Sequence, residues 1–250
     1  MTDLLLANRW AKQFLPRPQA PLRLFCFPYA GAGASALRRW MSLFPADIEV
    51  RPIEYPGRWT RQDEPFCHTI ADLAAGAAQA LAPLLDRPYA VLGYSLGALV
   101  AFEWLRLVEQ AGLRRGAHFF ACAQLAPQAQ LRDRVLHTLP DSELLPGMEA
   151  VYGRMPGPAL DPELMALVLP TLRADLQARE SYCYRAGPPL SVPLQAWGGA
   201  ADRSVQAADL DQWRQQTTAA FAATTFPGGH FFIATAGEAL RDAIMAQLSA

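Results

Sequence analysis

The chain has 250 residues and a mass of 27.4 kDa, with 52% hydrophobic and 18% charged residues. These proportions are those of ordinary globular proteins, so they exclude a disordered chain and a coiled coil. The formal net charge of -1 provides no basic field for a phosphate backbone, so we expect no nucleic-acid partner. The length suits an α/β fold, and we predict one domain over residues 1–250.

Cysteine usage and apolar runs indicate the compartment. The four cysteines lie far apart without a C-x-x-C pair, so neither a disulfide framework nor a zinc site is expected. The apolar run near the start, Leu4 to Ala7, is too short for the core of a signal peptide. The sequence contains no apolar run of about 18 residues that could span a membrane. We therefore predict a cytoplasmic protein with no membrane partner and no bound metal.

Six short apolar runs predict β-strands. Most are continuously apolar rather than alternating, which is typical of strands covered on both faces of a parallel sheet. The runs lie at residues 22–27, 48–54, 89–93, 118–123, 193–197 and 221–226.

Helical stretches separate most of these strands. One begins after Thr69, which is a suitable N-cap with Asp72 three residues later, and another follows Ser95 and ends near Gly112. Because strand and helix alternate, the sequence predicts an α/β fold with a mostly parallel, doubly wound sheet.

The interval from about residue 124 to 189 interrupts this alternation. It shows no convincing strand, but helix-start signals occur at Pro140–Asp141 and Asp161–Pro162. Within it, four apolar residues form a stripe at helical spacing and Pro170 predicts a kink. Such an insertion is either a second wall of the core or a mobile lid over a site, and we favour the lid. The residues of the stripe are Leu164, Val168, Leu172 and Leu176.

The sequence Gly93-Tyr94-Ser95-Leu96-Gly97 fits the pattern G-x-S-x-G at a predicted strand-to-helix junction. In this motif a sharp turn presents the serine hydroxyl above the sheet, and the glycines leave room for the strand and helix that close on it. The motif predicts Ser95 as a nucleophile.

A serine hydroxyl needs a base to remove its proton, and histidine is the usual one. His230 follows the last predicted strand through Gly228 and Gly229, at the sheet edge where the catalytic groups of open α/β sheets gather. We predict His230 as the base. The other histidines are less suitable: the ring of His118 more simply packs or hydrogen-bonds at a buried strand, His68 precedes a helix cap, and His137 belongs to the insertion.

The third member of such a triad is an acid that orients the imidazole, and it lies between the serine and the histidine in the chain. Asp202 follows a predicted strand through a Gly-Gly loop, which favours it, although it could instead cap a helix that starts near Ser204. The less suitable carboxylates are Asp175 in the insertion and Asp209 and Asp211 in a helical segment.

An oxyanion also needs hydrogen-bond donors. The backbone N–H of Leu96 is one by its position after the nucleophile. The second should come from the loop after the first strand, where we prefer Ala30 and keep Tyr29 as the alternative. The segment "GAGAS" in that loop lacks the third glycine of a dinucleotide fingerprint.

These motifs together resemble the type II, or editing, thioesterases of nonribosomal peptide and polyketide synthesis, which belong to the α/β-hydrolase superfamily. The resemblance extends over most of the chain. It rests on "LFCFPYAGAGAS" at 24–35, "YPGR" at 55–58, "GYSLGA" at 93–98, "LRADLQARESYCY" at 172–184, the Gly-Gly loop to Asp202, and "GGHFF" at 228–232.

The resemblance implies an α/β-hydrolase fold with a helical lid at about 124–189, and hydrolysis of acyl thioesters on the phosphopantetheine arm of carrier proteins. It carries the triad onto Ser95, Asp202 and His230, and the oxyanion amides onto Ala30 and Leu96. No dissociable cofactor is implied, because the phosphopantetheine belongs to the substrate. The expected partners are acyl or peptidyl carrier domains, and we expect a monomer.

Three positions depart from the family pattern. Tyr94 stands where many relatives have histidine, Ala32 replaces a common glycine, and Trp59 follows "YPGR" where a small residue is frequent.

Two other functions remain open from the sequence. A general serine esterase or lipase-like hydrolase would use the same triad, and a non-catalytic carrier-binding protein would merely retain the fold. We also hypothesise that Arg58, Arg173 or Arg179 contacts the phosphate or the acidic surface of a carrier.

Overall fold

The structure is a computed structural model that describes residues 2–131, 135–156 and 162–249. Its centre is a sheet of six parallel strands in the order β2-β1-β3-β4-β5-β6. Every predicted strand is present, with small shifts at the ends, so the predicted parallel sheet is confirmed. The strands are β1 Leu22–Phe27, β2 Ile48–Pro52, β3 Tyr89–Tyr94, β4 His118–Cys122, β5 Leu194–Gly199 and β6 Phe221–Phe226.

Helices cover both faces of the sheet. Short 3-10 helices occur at Ala34–Leu37, Trp59–Arg61, Ala82–Leu84 and Asp211–Gln216. The α-helices in the described residues are α1 Thr2–Trp10, α2 Arg38–Met41, α3 Ile70–Leu81, α4 Leu96–Gln110, α5 Asp141–Tyr152, α6 Pro162–Glu180, α7 Ala207–Leu210, α8 Phe232–Thr235 and α9 Gly237–Leu248.

The continuously apolar strands separate two hydrophobic cores. Val91 of β3 belongs to one core together with Trp104 of α4, whereas the next residue, Leu92, belongs to the other together with Leu240 of α9. Successive strand residues point to opposite faces, so a strand between two helical layers is apolar at most of its positions on both faces. This accounts for the continuous apolar runs in the sequence.

The predicted ends of two helices are also observed. The side chain of Thr69 accepts a hydrogen bond from the backbone N–H of Asp72 over 3.1 Å, which caps α3. Helix α4 ends at Gln110, and Gly112 just beyond it has a left-handed φ of 65°, as a C-terminal glycine cap requires.

The described parts of the insertion at about 124–189 contain α5 and α6 and no strand of the sheet. Helix α5 begins at Asp141, as predicted, whereas Asp161 lies outside the described residues, as do the side chains of residues 162–167, including Leu164. Of the predicted stripe, Leu172 and Leu176 are buried. Helix α6 continues through Pro170. A mobile lid remains a prediction.

None of the helices in the described residues combines the length and hydrophobicity that crossing a bilayer requires.

Candidate active site

Ser95 occupies a strained turn between β3 and α4, with φ 52° and ψ -121°. Glycine is needed on both sides of the turn for space. An ideal Cβ on Gly93 would lie 2.5 Å from the Cα of Ala98, and one on Gly97 would lie 2.1 Å from the carbonyl oxygen of Phe27. The motif therefore folds as the sharp turn that presents a serine hydroxyl at the carboxyl edge of the sheet.

The structure brings Ser95, His230 and Asp202 together, although they lie far apart in the chain. His230 Nε2 is 3.0 Å from Ser95 Oγ, and His230 Nδ1 is 2.8 Å from Asp202 Oδ2. All three residues are buried. Asp202 follows β5 and His230 follows β6, so both side chains start from the same sheet edge as Ser95. In this arrangement Nδ1–H donates to the carboxylate, which leaves Nε2 to accept the serine proton.

The turn that follows Asp202 holds the carboxylate of this residue in place. Its Oδ1 atom accepts hydrogen bonds from the backbone N–H of Ser204 over 2.9 Å and from the Ser204 hydroxyl over 2.8 Å. Burial alone would raise the pKa of Asp202, but the hydrogen bonds and charge of His230, together with the Ser204 contacts, lower it below its ordinary value. The carboxylate is therefore ionised and able to orient the imidazole. The helix expected near Ser204 begins instead at Ala207.

Tyr94, the residue before the serine, holds the histidine backbone. Its hydroxyl donates to the carbonyl oxygen of His230 over 2.6 Å and accepts from the backbone N–H of Ile233 over 3.3 Å. Burial raises the pKa of Tyr94 well above its ordinary value, so the hydroxyl keeps its proton. The ring of Tyr152 packs against the imidazole, with the ring centres 4.8 Å apart.

The remaining histidines occupy other positions. His118 stacks on Phe120 at the start of β4, with ring centres 4.7 Å apart, and His68 lies on the surface. His137 Nδ1 is 2.5 Å from a carboxylate oxygen of Glu180.

The other carboxylates that the sequence offered also lie elsewhere. Asp175 pairs with Arg58, and Asp209 accepts from the backbone N–H of Gln206 at the start of α7. Asp211 begins the 3-10 helix that follows α7.

A small cavity surrounds the serine and histidine. Tyr29 and Ala30, the two candidates for the second oxyanion donor, both line it, and Leu96 is the first residue of α4. The insertion supplies much of the cavity wall. The lining residues from α5 and α6 are Met148, Tyr152, Leu176 and Arg179.

A larger cavity, of about 510 Å³, lies beyond Arg179, whose side chain lines both spaces. Gln124, Gln128 and Tyr184 contribute to its lining. The reacting groups Ser95 and His230 lie in the smaller cavity, so we assign the chemistry to that one.

The three arginines suggested as carrier contacts have intramolecular partners. Arg58 and Arg179 are buried, with Arg58 paired to Asp175 and Arg179 donating to the Tyr152 hydroxyl over 2.7 Å. The hypothesis of a contact with the acidic surface of a carrier is therefore wrong for these two, whereas a contact with the carrier phosphate stays a prediction. Arg173 is partly exposed and donates to Asp141 on α5, and its role with a carrier remains a prediction.

Residues 22–248 match the family model described as the thioesterase domain. This chain belongs to the thioesterase family. The gramicidin S biosynthesis protein GrsT of Aneurinibacillus migulanus is 36% identical over 233 residues, which are 93% of this chain and 91% of GrsT.

Two solved structures are similar over nearly their whole length. The type II thioesterase BorB of the borrelidin biosynthetic cluster is 30% identical, with a TM-score of 0.85 and coverage of 96% of this chain and 97% of BorB. The thioesterase RedJ of prodiginine biosynthesis in Streptomyces coelicolor is 36% identical, with a TM-score of 0.83 and coverage of 93% and 91%.

These findings confirm the resemblance to type II thioesterases and the α/β-hydrolase fold. This thioesterase is an enzyme that hydrolyses thioesters, and its relatives serve nonribosomal peptide and polyketide pathways.

Sequence reasoning missed three features of the site. The turn at Asp202 had a signal, since an aspartate side chain commonly accepts a hydrogen bond from the backbone N–H two residues on, which here is that of Ser204. The contact of Tyr94 with His230 and the pairing of Asp175 with Arg58 had none, because each joins residues more than a hundred positions apart.

Proposed function

We propose that the thioesterase hydrolyses acyl thioesters on the phosphopantetheine arm of carrier proteins, and so removes misprimed or stalled acyl groups from nonribosomal peptide or polyketide synthetases. The observation that carries the proposal is the continuous contact from Ser95 through His230 to Asp202 at 3.0 and 2.8 Å. The carrier as partner is supported by the relatives, which come from carrier-dependent pathways.

In the first half of the reaction, His230 Nε2 takes the proton of Ser95 Oγ as this oxygen attacks the thioester carbonyl carbon. The negative charge develops on the carbonyl oxygen, where the backbone N–H groups of Leu96 and Ala30 donate to it. Asp202 stabilises the imidazolium through Nδ1. The carbon–sulfur bond then breaks, the thiolate of the carrier arm takes the proton from His230, and an acyl-serine remains.

The second half repeats this chemistry with water. His230 removes a proton from a water molecule that attacks the acyl-serine carbonyl, and the same two amides receive the oxyanion. When the bond to Ser95 Oγ breaks, the serine oxygen takes its proton back from His230. The products are a free acid and the thiol form of the carrier arm.

This mechanism uses protein groups and water, so we propose that no dissociable cofactor or metal takes part. We also propose that the insertion at about 124–189 acts as a lid, because α5 and α6 supply residues to the wall of the cavity over Ser95. The enzyme is proposed to act as a cytoplasmic monomer.

The test compares hydrolysis of an acetyl-carrier protein with that of a p-nitrophenyl ester, for the wild type and Ser95→Ala. We expect the wild type to prefer the carrier thioester, and the variant to fold normally but to lose turnover. The oxyanion hole and substrate binding alone leave only about 10³ to 10⁴ over the uncatalysed rate. Rapid ester turnover with an intact acetyl-carrier would instead identify a general esterase, and binding of the carrier without hydrolysis would identify a carrier-binding protein.

A further inference from the structure

A buried ion pair joins the insertion to the loops beside the active site. Asp175 of α6 and Arg58 of the loop after β2 meet in a fork, with Arg58 Nη1 2.6 Å from Asp175 Oδ2 and Arg58 Nη2 2.7 Å from Asp175 Oδ1. The side chain of Arg58 is only 3% exposed and that of Asp175 is 0% exposed. Burial alone would lower the pKa of Arg58, but the charge and hydrogen bonds of Asp175 raise it, so the guanidinium stays charged.

The same pair holds the loop after β1, in which Ala30 lies. The backbone N–H of Gly31 donates to Asp175 Oδ2 over 2.8 Å, and Arg58 Nη1 donates to the carbonyl oxygen of Ala32 over 3.1 Å. Gly31 has a left-handed φ of 76°, so the chain reverses at the point where Asp175 contacts it. The peptide unit between Ala30 and Gly31 is therefore tied to the carboxylate, and the unit between Ala32 and Gly33 is tied to the guanidinium.

Helix α6 brings further residues to the same place from one face. Leu172, one turn before Asp175, packs on Gly31, since an ideal Cβ there would lie 3.1 Å from Leu172 Cδ1. Leu176 and Arg179, next to Asp175 and one turn after it, line the cavity around Ser95. Residues three and four apart share a helix face. The ion pair thus fixes both the loop that contains Ala30 and the helix that lines the cavity.

A contribution to stability does not by itself explain why Asp175 and Arg58 form a buried ion pair. A buried ion pair is costly to desolvate, and replacing it with apolar groups is often neutral or stabilising. The effect of the ion pair on the geometry of the loop that contains Ala30 is a more specific explanation. An oxyanion donor works only when it is held at hydrogen-bond distance from the place where the charge develops.

We propose that Asp175 is a positioning residue for the oxyanion hole. Through Gly31 and Arg58 it fixes the turn after Ala30, so that the amide of Ala30 faces the oxyanion formed at Ser95. The inference rests on the proposed function, because it takes Ala30 as an oxyanion donor.

The test uses Asp175→Asn, which keeps the shape of the side chain but removes its charge and one acceptor of the fork. Removing an oxyanion donor outright costs about 10² to 10³ in kcat, so displacing one should cost about 10- to 100-fold. We expect KM for the acyl-carrier protein to stay within about twofold, because Asp175 is buried and acts on the transition state.

A matched control is Glu49→Gln. Glu49 is 1% exposed and pairs with Arg23 over 2.8 Å, in the second positions of β2 and β1, at the opposite edge of the sheet from Ser95. Glu49→Gln should lower the melting temperature, because it disrupts a buried ion pair, and it should leave kcat unchanged. Arg58→Lys provides a second variant if Asp175→Asn does not fold, since it keeps the charge but loses the fork, and it should lower kcat in the same way.

A second readout does not depend on the substrate. Diisopropyl fluorophosphate forms a phosphorus–oxygen bond with the serine and releases fluoride, while the serine proton passes to the histidine. Its phosphoryl oxygen occupies the oxyanion position, so Asp175→Asn should slow the labelling of Ser95 about as much as it lowers kcat. A wild type that is labelled but leaves acyl-carrier protein intact would contradict the proposed function, and the labelling rates of the variants would still test the role of Asp175.

Folded Asp175→Asn with kcat and labelling rate within about twofold of the wild type would overturn the inference. An equal loss of kcat in Glu49→Gln would overturn it as well, because general destabilisation would then explain both.

Discussion

The hydroxyl of Tyr94 donates a hydrogen bond to the backbone carbonyl oxygen of His230, over 2.6 Å, so the residue before the nucleophile fixes the backbone of the base. The Tyr94 hydroxyl oxygen also accepts from the backbone N–H of Ile233, so it lies at the turn between β6 and α8. Tyr94 is one of the positions where the resemblance to the type II thioesterases implies another residue, histidine, in many relatives. Its hydroxyl gives this departure a physical role, which is to orient the loop that carries His230.

Tyr94→Phe should therefore destabilise the protein and slow the reaction. The change leaves a buried acceptor and a buried donor without this partner, which costs about 1 to 3 kcal/mol of the unfolding free energy. We expect kcat to fall several-fold through a displaced imidazole, with KM little changed. Thermal unfolding and kcat measurements check both effects.

Tyr89→Phe is the control for this substitution. Tyr89 lies at the other end of β3, and its buried ring likewise carries a hydroxyl that donates to a backbone carbonyl, that of Arg114, over 2.7 Å. It should lower stability without changing kcat. Equal losses of kcat in the two variants would show that Tyr94 acts only through stability.

The contacts of Asp202 with His230 and with Ser204 should contribute to kcat by different amounts. Asp202→Asn removes the charge that holds the imidazole tautomer, and kcat should fall by up to about 10⁴-fold. Ser204→Ala removes the hydroxyl that donates to Asp202 Oδ1 and lies 3.1 Å from His230 Nδ1. A hydrogen bond to a charged group is worth about 1.5 to 3 kcal/mol, so we expect kcat to fall by about 10- to 100-fold. Steady-state kinetics on acyl-carrier protein measure both.

Ser191→Ala serves as the control for Ser204→Ala. The hydroxyl of Ser191 also donates to a carboxylate, that of Glu109, over 2.8 Å, before β5 rather than after it. Its removal should leave kcat unchanged. If Asp202→Asn lowered kcat only a few-fold, another acid would have to orient His230.

The backbone packs so closely around the turn at Ser95 that one added methyl group, on Gly97, should have a large effect on stability and activity. In Gly97→Ala the new Cβ would lie 2.1 Å from the carbonyl oxygen of Phe27 and 2.6 Å from that of Pro28, both backbone atoms that cannot move independently of the loop that carries Ala30. We expect a loss of several kcal/mol of unfolding free energy and of most activity. Circular dichroism, thermal unfolding and kcat report the result.

Gly112→Ala provides the comparison for Gly97→Ala. A Cβ on Gly112 meets no atom within 4 Å, and only its left-handed φ of 65° opposes the change. The expected cost is about 1 to 2 kcal/mol with kcat unchanged. A Gly97→Ala enzyme as stable and active as the wild type would contradict the tight approach seen in the structure.

The sequence predicts the sheet well because its signals are local. The central strands β1, β3, β4 and β5 are mostly apolar. Thr69 and Gly112 mark the limits of α3 and α4 through contacts with near neighbours. The meeting of Ser95 with His230 was predictable because a shared sheet edge brings the carboxyl ends of parallel strands together.

The surroundings of the site were less predictable because they depend on tertiary packing. The sequence suggests Arg58 as a contact for the phosphate or acidic surface of a carrier, yet the structure buries it against Asp175 from the insertion. A single chain gives no pattern that links two residues 117 positions apart. The same holds for Tyr152, whose contact with the ring of His230 depends on how α5 packs.

His118 should make the enzyme less stable in mild acid. Burial lowers its pKa from the ordinary 6.5 to about 4, and its buried Nε2 atom has no hydrogen-bond partner among the residues that the structure describes. As the pH falls below about 6.5, the unfolded chain binds a proton on this residue, whereas the folded chain does not until about pH 4. This one group therefore lowers the unfolding free energy across that window, by at most about 1.4 kcal/mol per pH unit.

Denaturant unfolding at several pH values should show a weaker acid dependence in His118→Phe, which keeps the stacking on Phe120. The control is His68→Phe on the surface, which should behave like the wild type. Identical pH dependence in His118→Phe and the wild type would show that His118 binds its proton equally well in the folded state.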